Sequence, residues 1–449
     1  MSDGFPFSRM EPVAHSGRLP QSVDVAVVGG GIIGVMSAYW LARAGQRVVL
    51  VEKGRIAAEQ SGRNWGWIRQ QGRDPAELPV MVEARRHWCD LAPQLDVDIG
   101  LHQGGTLYLA QSAARMAAFE QWLPHARDHG LDTKLLTGLA LAQVVPGAQG
   151  SFPGGLWTAS DMRAEPWLAV PALARLAARA GATIRESCAA RALDLEGGRI
   201  AGVVTEAGRI RAGAVVVAGG AWSRLLLSAH GVALPQLSVR ASVAATAPLP
   251  LVTEAGVGAA GLAFRRRADG GYTFAPAGYH ELFLGPDAFA SLRHYLTQVR
   301  ADPFGTRYRL AAPRGYPDAW GTARRPDPDR PGPFEAMRVL DPAPNLRKLE
   351  GLKQKFAQMY PDLPPVRFRA VWAGMIDTMP DIVPVIDKVA SIEGLTIATG
   401  MSGHGFGIGP GVGRVVADLV MGKASGHDLH RFRLARFSDG TRMDLGPAL

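Results

Sequence analysis

The chain has 449 residues, 47% of them hydrophobic and 20% charged, a globular composition long enough for two or three cores with a cleft between them. Its 49 Lys and Arg outnumber 40 Asp and Glu by +9, but the surplus is spread along the chain with no basic run interleaved with aromatics, which argues against nucleic-acid binding. The two cysteines, Cys89 and Cys188, have no CxxC spacing, so neither a disulfide framework nor a metal site is expected.

The start, "MSDGFPFSRMEPVAHSGRLP", has no apolar signal core and no twin arginine. It reads as a tail over 1–20 of a cytoplasmic protein with at most peripheral membrane contact. The apolar stretch 25–44 is interrupted by Gly29, Gly30, Gly31 and Gly34, which suits a strand and a helix better than a membrane span. In "VDVAVVGGGIIGVMSAYWLARAGQRVVLVEKG" the run 23–28 predicts a buried parallel strand. Gly29, Gly31 and Gly34 then supply GxGxxG, whose turn brings a pyrophosphate against a helix opened by Ile32 and Ile33. That helix runs on through Met36, Tyr39 and Trp40 until Gly45 stops it. A second apolar strand, 48–51, delivers Glu52 and Lys53, with the acid about twenty residues beyond the glycines, where it accepts ribose hydroxyls. Strand, glycines, helix, strand and acid in this order predict a dinucleotide site.

The next segment, "SGRNWGWIRQQGRD" at 61–74, carries three arginines, two tryptophans and three glycines with no helical or alternating pattern, and reads as a loop. Residues 75–93 predict a helix, "GLHQGGTLYLAQS" paired strands, and "AARMAAFEQWLPHARDHG" a helix ending at Gly130. Over 161–182 a helix is expected with Pro166 at its start and Gly181 at its end. "RIRAGAVVVAGGAWSRLL", 208–225, sets a strand before Gly219 and Gly220. The proline-rich stretch 311–344 reads as an ordered loop or lid. "GLTIATGMSGHGFGIGPGVGRVVADLVMG", 394–422, sets a last strand before a glycine-rich loop and a helix near Pro410.

These three separated glycine motifs resemble the FAD-dependent oxidoreductases that include D-amino acid oxidase, glycine oxidase and sarcosine oxidase, over nearly the whole chain. Within that family "EKGRIAAEQSGRN", "VVVAGGAWSRL", "FRRRADGGY" and "GPFEAMRVLDPAPNLRKLEGLKQKFAQMYP" are similar to the L-amino acid deaminases of Proteus-type bacteria, whose N-terminal membrane anchor has no counterpart in the residues given. The resemblance implies an α/β fold with an α+β second domain. A discontinuous Rossmann-like FAD domain would comprise 21–90, 151–235 and 366–449, and a substrate domain with a large mixed sheet 91–150 and 236–365.

It also implies site residues. Ser61, Gly62, Arg63, Asn64, Trp65, Gly66 and Trp67 would run along the FAD, with Arg63 at phosphate and the tryptophans walling the isoalloxazine. Ala190 would meet the adenine, and Ala218, Gly219, Trp222, Gly374 and Gly400 would complete the cradle. Gly403, His404, Gly405, Phe406 and Gly407 would present amides to the flavin N1–C2=O edge, while the His404 side chain has either a role at the ring or a local hydrogen bond. The FAD is expected to be non-covalent, since the last cysteine is Cys188 and no histidine lies in 53–74. An amino-acid substrate needs a cation for its carboxylate; Arg265 is the preferred anchor and Arg240 the other. Trp372 is either an aromatic wall or a core residue. The implied reaction is oxidative deamination of an amino acid, hydride passing to flavin N5 and the imine hydrolysing; the alternatives are oxidation of a secondary amine, or a flavoprotein subunit without catalysis. The acceptor would be O2 or, because no lysine lies between Lys134 and Lys348, a quinone or other carrier.

Overall fold

Apolar residues on both faces of the run around Val25 let it become an inner parallel strand, since neither side needs to meet water. Residues 13–259, 261–303 and 305–446 are described by the computed structural model; the expected tail lies, through residue 12, outside them. Strand Ser22–Val28 sits between Val48–Val51 and Gly208–Val217, parallel to both. Side chains alternate across it, so Val25 and Val27 join one hydrophobic core and Ala26 and Val28 another. The full sheet has eight strands: Val385–Lys388, Leu395–Thr399, Gly208–Val217, Ser22–Val28, Val48–Val51 and Thr183–Arg185 in order, with Arg199–Thr205 and Ala190–Glu196 leading off Gly208–Val217. Helices Ile32–Arg43, Leu78–Leu91, Pro166–Arg179 and Gly405–Val420 supply the core on the Val25 face.

A second sheet of ten mixed strands runs from Thr306–Arg309 through Leu237–Thr246 and Leu262–Arg266 to Thr133–Leu136, with Phe368–Thr378 paired to Leu237–Thr246. Helix Leu346–Met359 closes one face of it, its Leu349, Leu352 and Phe356 packing with Phe264 and Phe274. Helices and large mixed sheets together give the expected α/β class.

Pairing partners distant in sequence move two of the expected domain boundaries. Gly155–Thr158 bonds to Thr106–Leu109 and Thr133–Leu136, and Phe368–Thr378 bonds to Leu237–Thr246, so both strands belong to the second sheet although they follow the boundaries drawn at 151 and 366. "GLHQGGTLYLAQS" yields one strand, Thr106–Leu109, not two, because Gly100 and Gly105 turn the chain with positive φ just before it. The 61–74 segment is not all loop: it holds the end of a short helix, Gln60–Arg63, and a two-residue strand, Trp67–Ile68, paired with Met162–Arg163. The final helix starts at Gly405 and carries Pro410 inside it.

Phe356 is fully buried against the rings of Phe264, Tyr272, Phe274 and Tyr360, at 4.8–5.7 Å between centroids. Phe356→Ala is expected to cost about 3–5 kcal/mol, seen as a lowered denaturation midpoint of the second sheet's core with the flavin absorbance of the folded protein unchanged.

Candidate active site

One cavity of about 890 Å³ runs between the two sheets, lined at one end by Gly29, Gly30, Gly31, Glu52 and Ala218 and at the other by Trp67, Tyr108, Val243 and His404. The glycines at its first end are there because backbone must approach backbone. Gly29 has φ +113°, and a Cβ on it would strike Ala218 O; a Cβ on Gly34 would strike Gly29 O. This close fit leaves the N-terminus of helix Ile32–Arg43 facing the cavity, with no acidic residue in its first turn. Ile32 N donates to Ser61 Oγ at 2.9 Å. Glu52 accepts from Gly30 N and Gly54 N, both at 2.7 Å, and burial pushes its carboxyl above the usual range.

Around this cradle the polar side chains hold one another in place. Glu59 accepts from Lys53 Nζ at 2.6 Å and from Trp222 Nε1 at 3.2 Å, while the Lys53 ammonium lies 4.3 Å from the Trp222 ring. Asn64 donates to Ser61 O and accepts from Gly66 N, fixing the turn that carries Trp65. Across the cavity, buried Asp377 accepts from Gly400 N at 2.7 Å and from Gln236 Nε2 and Thr399 Oγ1. It shapes the turn into helix Gly405–Val420, whose N-terminus is capped by no side chain and lines the cavity at Gly403, His404, Gly405 and Phe406.

Five arginines line the cavity: Arg55, Arg63, Arg69, Arg73 and Arg115. Three are committed, Arg55 to Glu186, Arg63 to Asp341 and Arg73 to Glu77. Arg63, expected at phosphate, also donates to Ala58 O and Ala373 O. Arg69 and Arg115 have no ion pair among the described residues. Arg69 lies 5.7 Å from the Tyr108 ring, donates to Gln71 O and faces His404 Nε2 at 3.4 Å. Arg115 lies 4.9 Å from the Phe119 ring.

Behind Arg69 lies a buried network. Arg73 donates to Glu77 at 2.8 Å, to His404 O at 3.1 Å and to Arg69 O at 2.7 Å. His404 Nδ1 is 3.3 Å from Glu77. Burial alone would raise the Glu77 pKa, but its cationic and hydrogen-bonding neighbours pull it down to about 2. Burial lowers that of His404, against the pull of Glu77. An Arg69 donor faces His404 Nε2, so that nitrogen accepts and Nδ1–H donates to Glu77 as a neutral imidazole, and this hydrogen bond from His404 together with Arg73 keeps Glu77 ionised.

Most of the residues expected from sequence meet on this cavity. Gly29, Gly31, Ile32, Ile33, Glu52, Lys53, Ser61, Arg63, Asn64, Trp65, Trp67, Ala190, Ala218, Gly219, Trp222, Gly374, Gly403, His404, Gly405 and Phe406 line it, whereas Gly34, Gly62, Gly66, Gly400 and Gly407 stand behind the lining. The two expected anchors do not reach it. Arg265 is fully buried, its guanidinium held by Glu165 at 2.8 and 2.9 Å and by Trp65 O, so it braces the Trp65–Gly66 backbone from behind. Arg240 lies on the opposite face of its strand from the lining residues Ala241 and Val243 and pairs with Glu281 at 2.7 Å. Trp372 is a support, donating from Nε1 to Arg63 O at 2.9 Å and packing with Trp65, Val243 and Ala245. Arg69, Arg73, Glu77, Tyr108, Arg115 and Ser223 were not singled out from sequence. Arg69 and Arg73 lie inside the quoted 61–74 segment, whose density of arginine was the available signal.

Residues 24–419 match the family model described as DAO, FAD dependent oxidoreductase. The chain belongs to this family. Glycine oxidase of Pseudomonas aeruginosa is 26% identical over 90% of this chain and 96% of its own, and sarcosine oxidase subunit beta of Rhizobium meliloti 26% over 94% and 90%. The structure of L-amino acid deaminase from Proteus myxofaciens in complex with anthranilate superposes with a TM-score of 0.89 at 28% identity, covering 96% of this chain and 97% of that one. As a DAO-family member the protein is an FAD-dependent amino acid or amine oxidoreductase. The cavity fits that cofactor: in addition to the glycine cradle it has two buried lining donors with no partner among the described residues, Ser223 Oγ near Gly219 and Trp67 Nε1 at the other end. No helix of the described residues is long and apolar enough to cross a membrane.

Two expectations follow from the buried pairs. Glu165→Ala strands the Arg265 guanidinium and is expected to cost about 3–5 kcal/mol, with flavin loss at a lower temperature than in the parent because the Trp65 turn loses its brace. Glu77 has its folded pKa, about 2, below its ordinary 4.5, so it contributes stability above pH 4.5 that is lost as pH falls toward 2. That contribution is about 3 kcal/mol. Thermal midpoints of Glu77→Gln and parent should therefore differ most at neutral pH and converge as the pH drops through this window.

Proposed function

We propose that the protein oxidises a primary α-amino acid to its imine, which water hydrolyses to a 2-oxo acid and ammonia. The observation that carries this reading is the division among the cavity arginines: Arg55, Arg63 and Arg73 are neutralised by carboxylates of the chain, and Arg69 and Arg115 are not. A guanidinium left uncommitted in a cleft is matched by a ligand carboxylate, which it meets with two parallel N–H donors. We assign Arg69 as that anchor, since it faces His404 and the aromatic wall of Trp67 and Tyr108.

FAD, when bound, supplies the hydride acceptor. The chain's own residues bind, orient and deprotonate. An amino acid arrives as its ammonium and must lose a proton before it can lose hydride. A carboxylate that draws Arg69 to itself leaves His404 Nε2 without its present donor, and this neutral nitrogen is then the acceptor for an ammonium proton. Trp67, Tyr108 and Val243 provide apolar surface for the side chain and keep water from the reacting carbon. Relatives described as glycine oxidase and as an L-amino acid deaminase, both acting on primary amines that carry a carboxylate, support the reading.

The test is anaerobic mixing of the yellow protein with L-amino acids, D-amino acids, N-methyl amino acids and amines lacking a carboxylate. Bleaching of the flavin by primary α-amino acids of one hand, with one ammonia released per flavin reduced, is expected. Bleaching by N-substituted or carboxylate-free amines alone contradicts the proposal. Arg69→Ala is expected to lower kcat/KM about 10- to 150-fold, the worth of a hydrogen bond to a charged group, chiefly through KM.

A further inference from the structure

Arg69 is one of the two cavity arginines that the chain leaves without a carboxylate. Arg115 is the other, and the chemistry described above makes no use of it. It stands in the first turn of helix Ala113–Asp128, whose N-cap Ser112 Oγ accepts from Arg115 N at 3.2 Å and whose first turn holds no acidic residue. Its guanidinium lies 4.9 Å from the ring of Phe119, and both side chains line the cavity. A fully solvated arginine would need no explanation. Arg115 is half-buried on a cavity wall, where its charge is only partly screened by water.

Tyr108 connects the two cations. Its ring lies 5.7 Å from the Arg69 guanidinium and packs in one cluster with Phe119. Burial raises the pKa of the Tyr108 phenol, and the charges of Arg69, Arg73 and Arg115 all act against that rise. The phenol has no hydrogen-bond partner among the described residues and lines the cavity. Nothing in the lining answers the two arginines: the acids there are Glu52, Glu59 and Asp377, each already accepting from partners within the chain. Beside Tyr108 the lining is small. A Cβ on Gly258 would meet the Tyr108 ring at 2.8 Å, and Ala263 is paired with Gly258 on the next strand. A substrate side chain therefore has room to run along the Tyr108 wall from Arg69 toward Arg115.

We propose that the substrate is a dicarboxylic α-amino acid, held by its α-carboxylate at Arg69 and by its side-chain carboxylate at Arg115. This rests on the assignment of Arg69 made above and narrows the substrate from amino acids in general to acidic ones. Charge decides between the candidates. A neutral side chain would cover Arg115 and leave its guanidinium without a counter-ion, and a cationic one would be repelled, whereas a second carboxylate pairs with it through two parallel N–H donors. The N-terminus of helix Ala113–Asp128 adds potential of the same sign, and the Tyr108 phenol is a free donor beside the path. The methylenes of such a substrate lie over the apolar faces of Trp67 and Tyr108, and the products are a 2-oxo dicarboxylic acid and ammonia.

The test is anaerobic reduction of the flavin-loaded protein by pairs of amino acids that differ only in the charge of the side-chain end, glutamate with glutamine and aspartate with asparagine, each in both hands. In at least one pair the acid is expected to exceed its amide in kcat/KM by about tenfold or more, with an advantage that shrinks as salt is added. Arg115→Gln should bring that ratio close to one, chiefly by raising KM for the acid, while Arg69→Ala should lower kcat/KM for both members of the pair. A binding measurement without turnover checks the same point: glutarate should perturb the absorbance of the oxidised flavin at lower concentration than its half-amide does, and Arg115→Gln should remove the difference. Amides reacting as well as their acids, or an acid preference that Arg115→Gln leaves intact, overturns the inference. Reduction by neutral amino acids in that event leaves the assignment of Arg69 standing, whereas reduction by carboxylate-free amines alone removes both.

Discussion

The cation end of the cavity depends on the buried pair of Arg73 and Glu77. Arg73 gathers Arg69 O, His404 O and Glu77 onto one guanidinium, and its own carbonyl accepts from Trp122 Nε1 at 3.1 Å. One residue, through its guanidinium and its carbonyl, thereby ties the loop after Trp67, the N-terminus of helix Gly405–Val420 and helix Ala113–Asp128 to a common point. Such a pair is costly to desolvate and is tolerable only because each donor and acceptor finds a partner. Its effect is positional: it sets the backbone from which Arg69 and His404 project, and it spends its charge internally so that Arg73 does not compete for a ligand.

The same logic separates the other arginines. A guanidinium beside a carboxylate of the chain is part of the frame, as Arg265 is with Glu165 and Arg240 with Glu281. A guanidinium that faces an aromatic ring and a neutral imidazole, as Arg69 does, keeps its charge for something that enters. In the proposed reading, substrate selection rests on the cavity cations that the chain leaves without a carboxylate. Arg115, on helix Ala113–Asp128 beside Phe119, is placed to give a second positive charge along the same wall.

The nucleotide end was legible in the sequence because its constraint is local. Gly29, Gly31, Gly34 and Glu52 stand within one strand–helix–strand unit, and their spacing alone states the close approach of backbone that the structure then shows. The substrate end was not legible in that way. Arg265 looked like an anchor by its place in "FRRRADGGY", yet its partner Glu165 is a hundred residues earlier in the chain, and no spacing rule connects them. Arg240 lost its expected role to strand alternation, which turned Ala241 and Val243 inward. The strands Gly155–Thr158 and Phe368–Thr378 crossed their expected boundaries for the same kind of reason, since a strand's sheet is chosen by partners the local pattern does not name. Arg73 is set apart by Glu77 four residues later, just past the end of "SGRNWGWIRQQGRD", whereas Arg63 is set apart from Arg69 only by Asp341, far along the chain.

The central claim is that the cavity recognises negative charge at Arg69. The most direct measurement is an equilibrium titration of the oxidised, flavin-loaded protein with benzoate and with benzamide, molecules of nearly equal size and shape that differ in charge, following the flavin absorbance. The account predicts saturable perturbation of the spectrum by benzoate and little or none by benzamide at the same concentrations. Equal affinity for the two, or preference for the neutral amide, would contradict it.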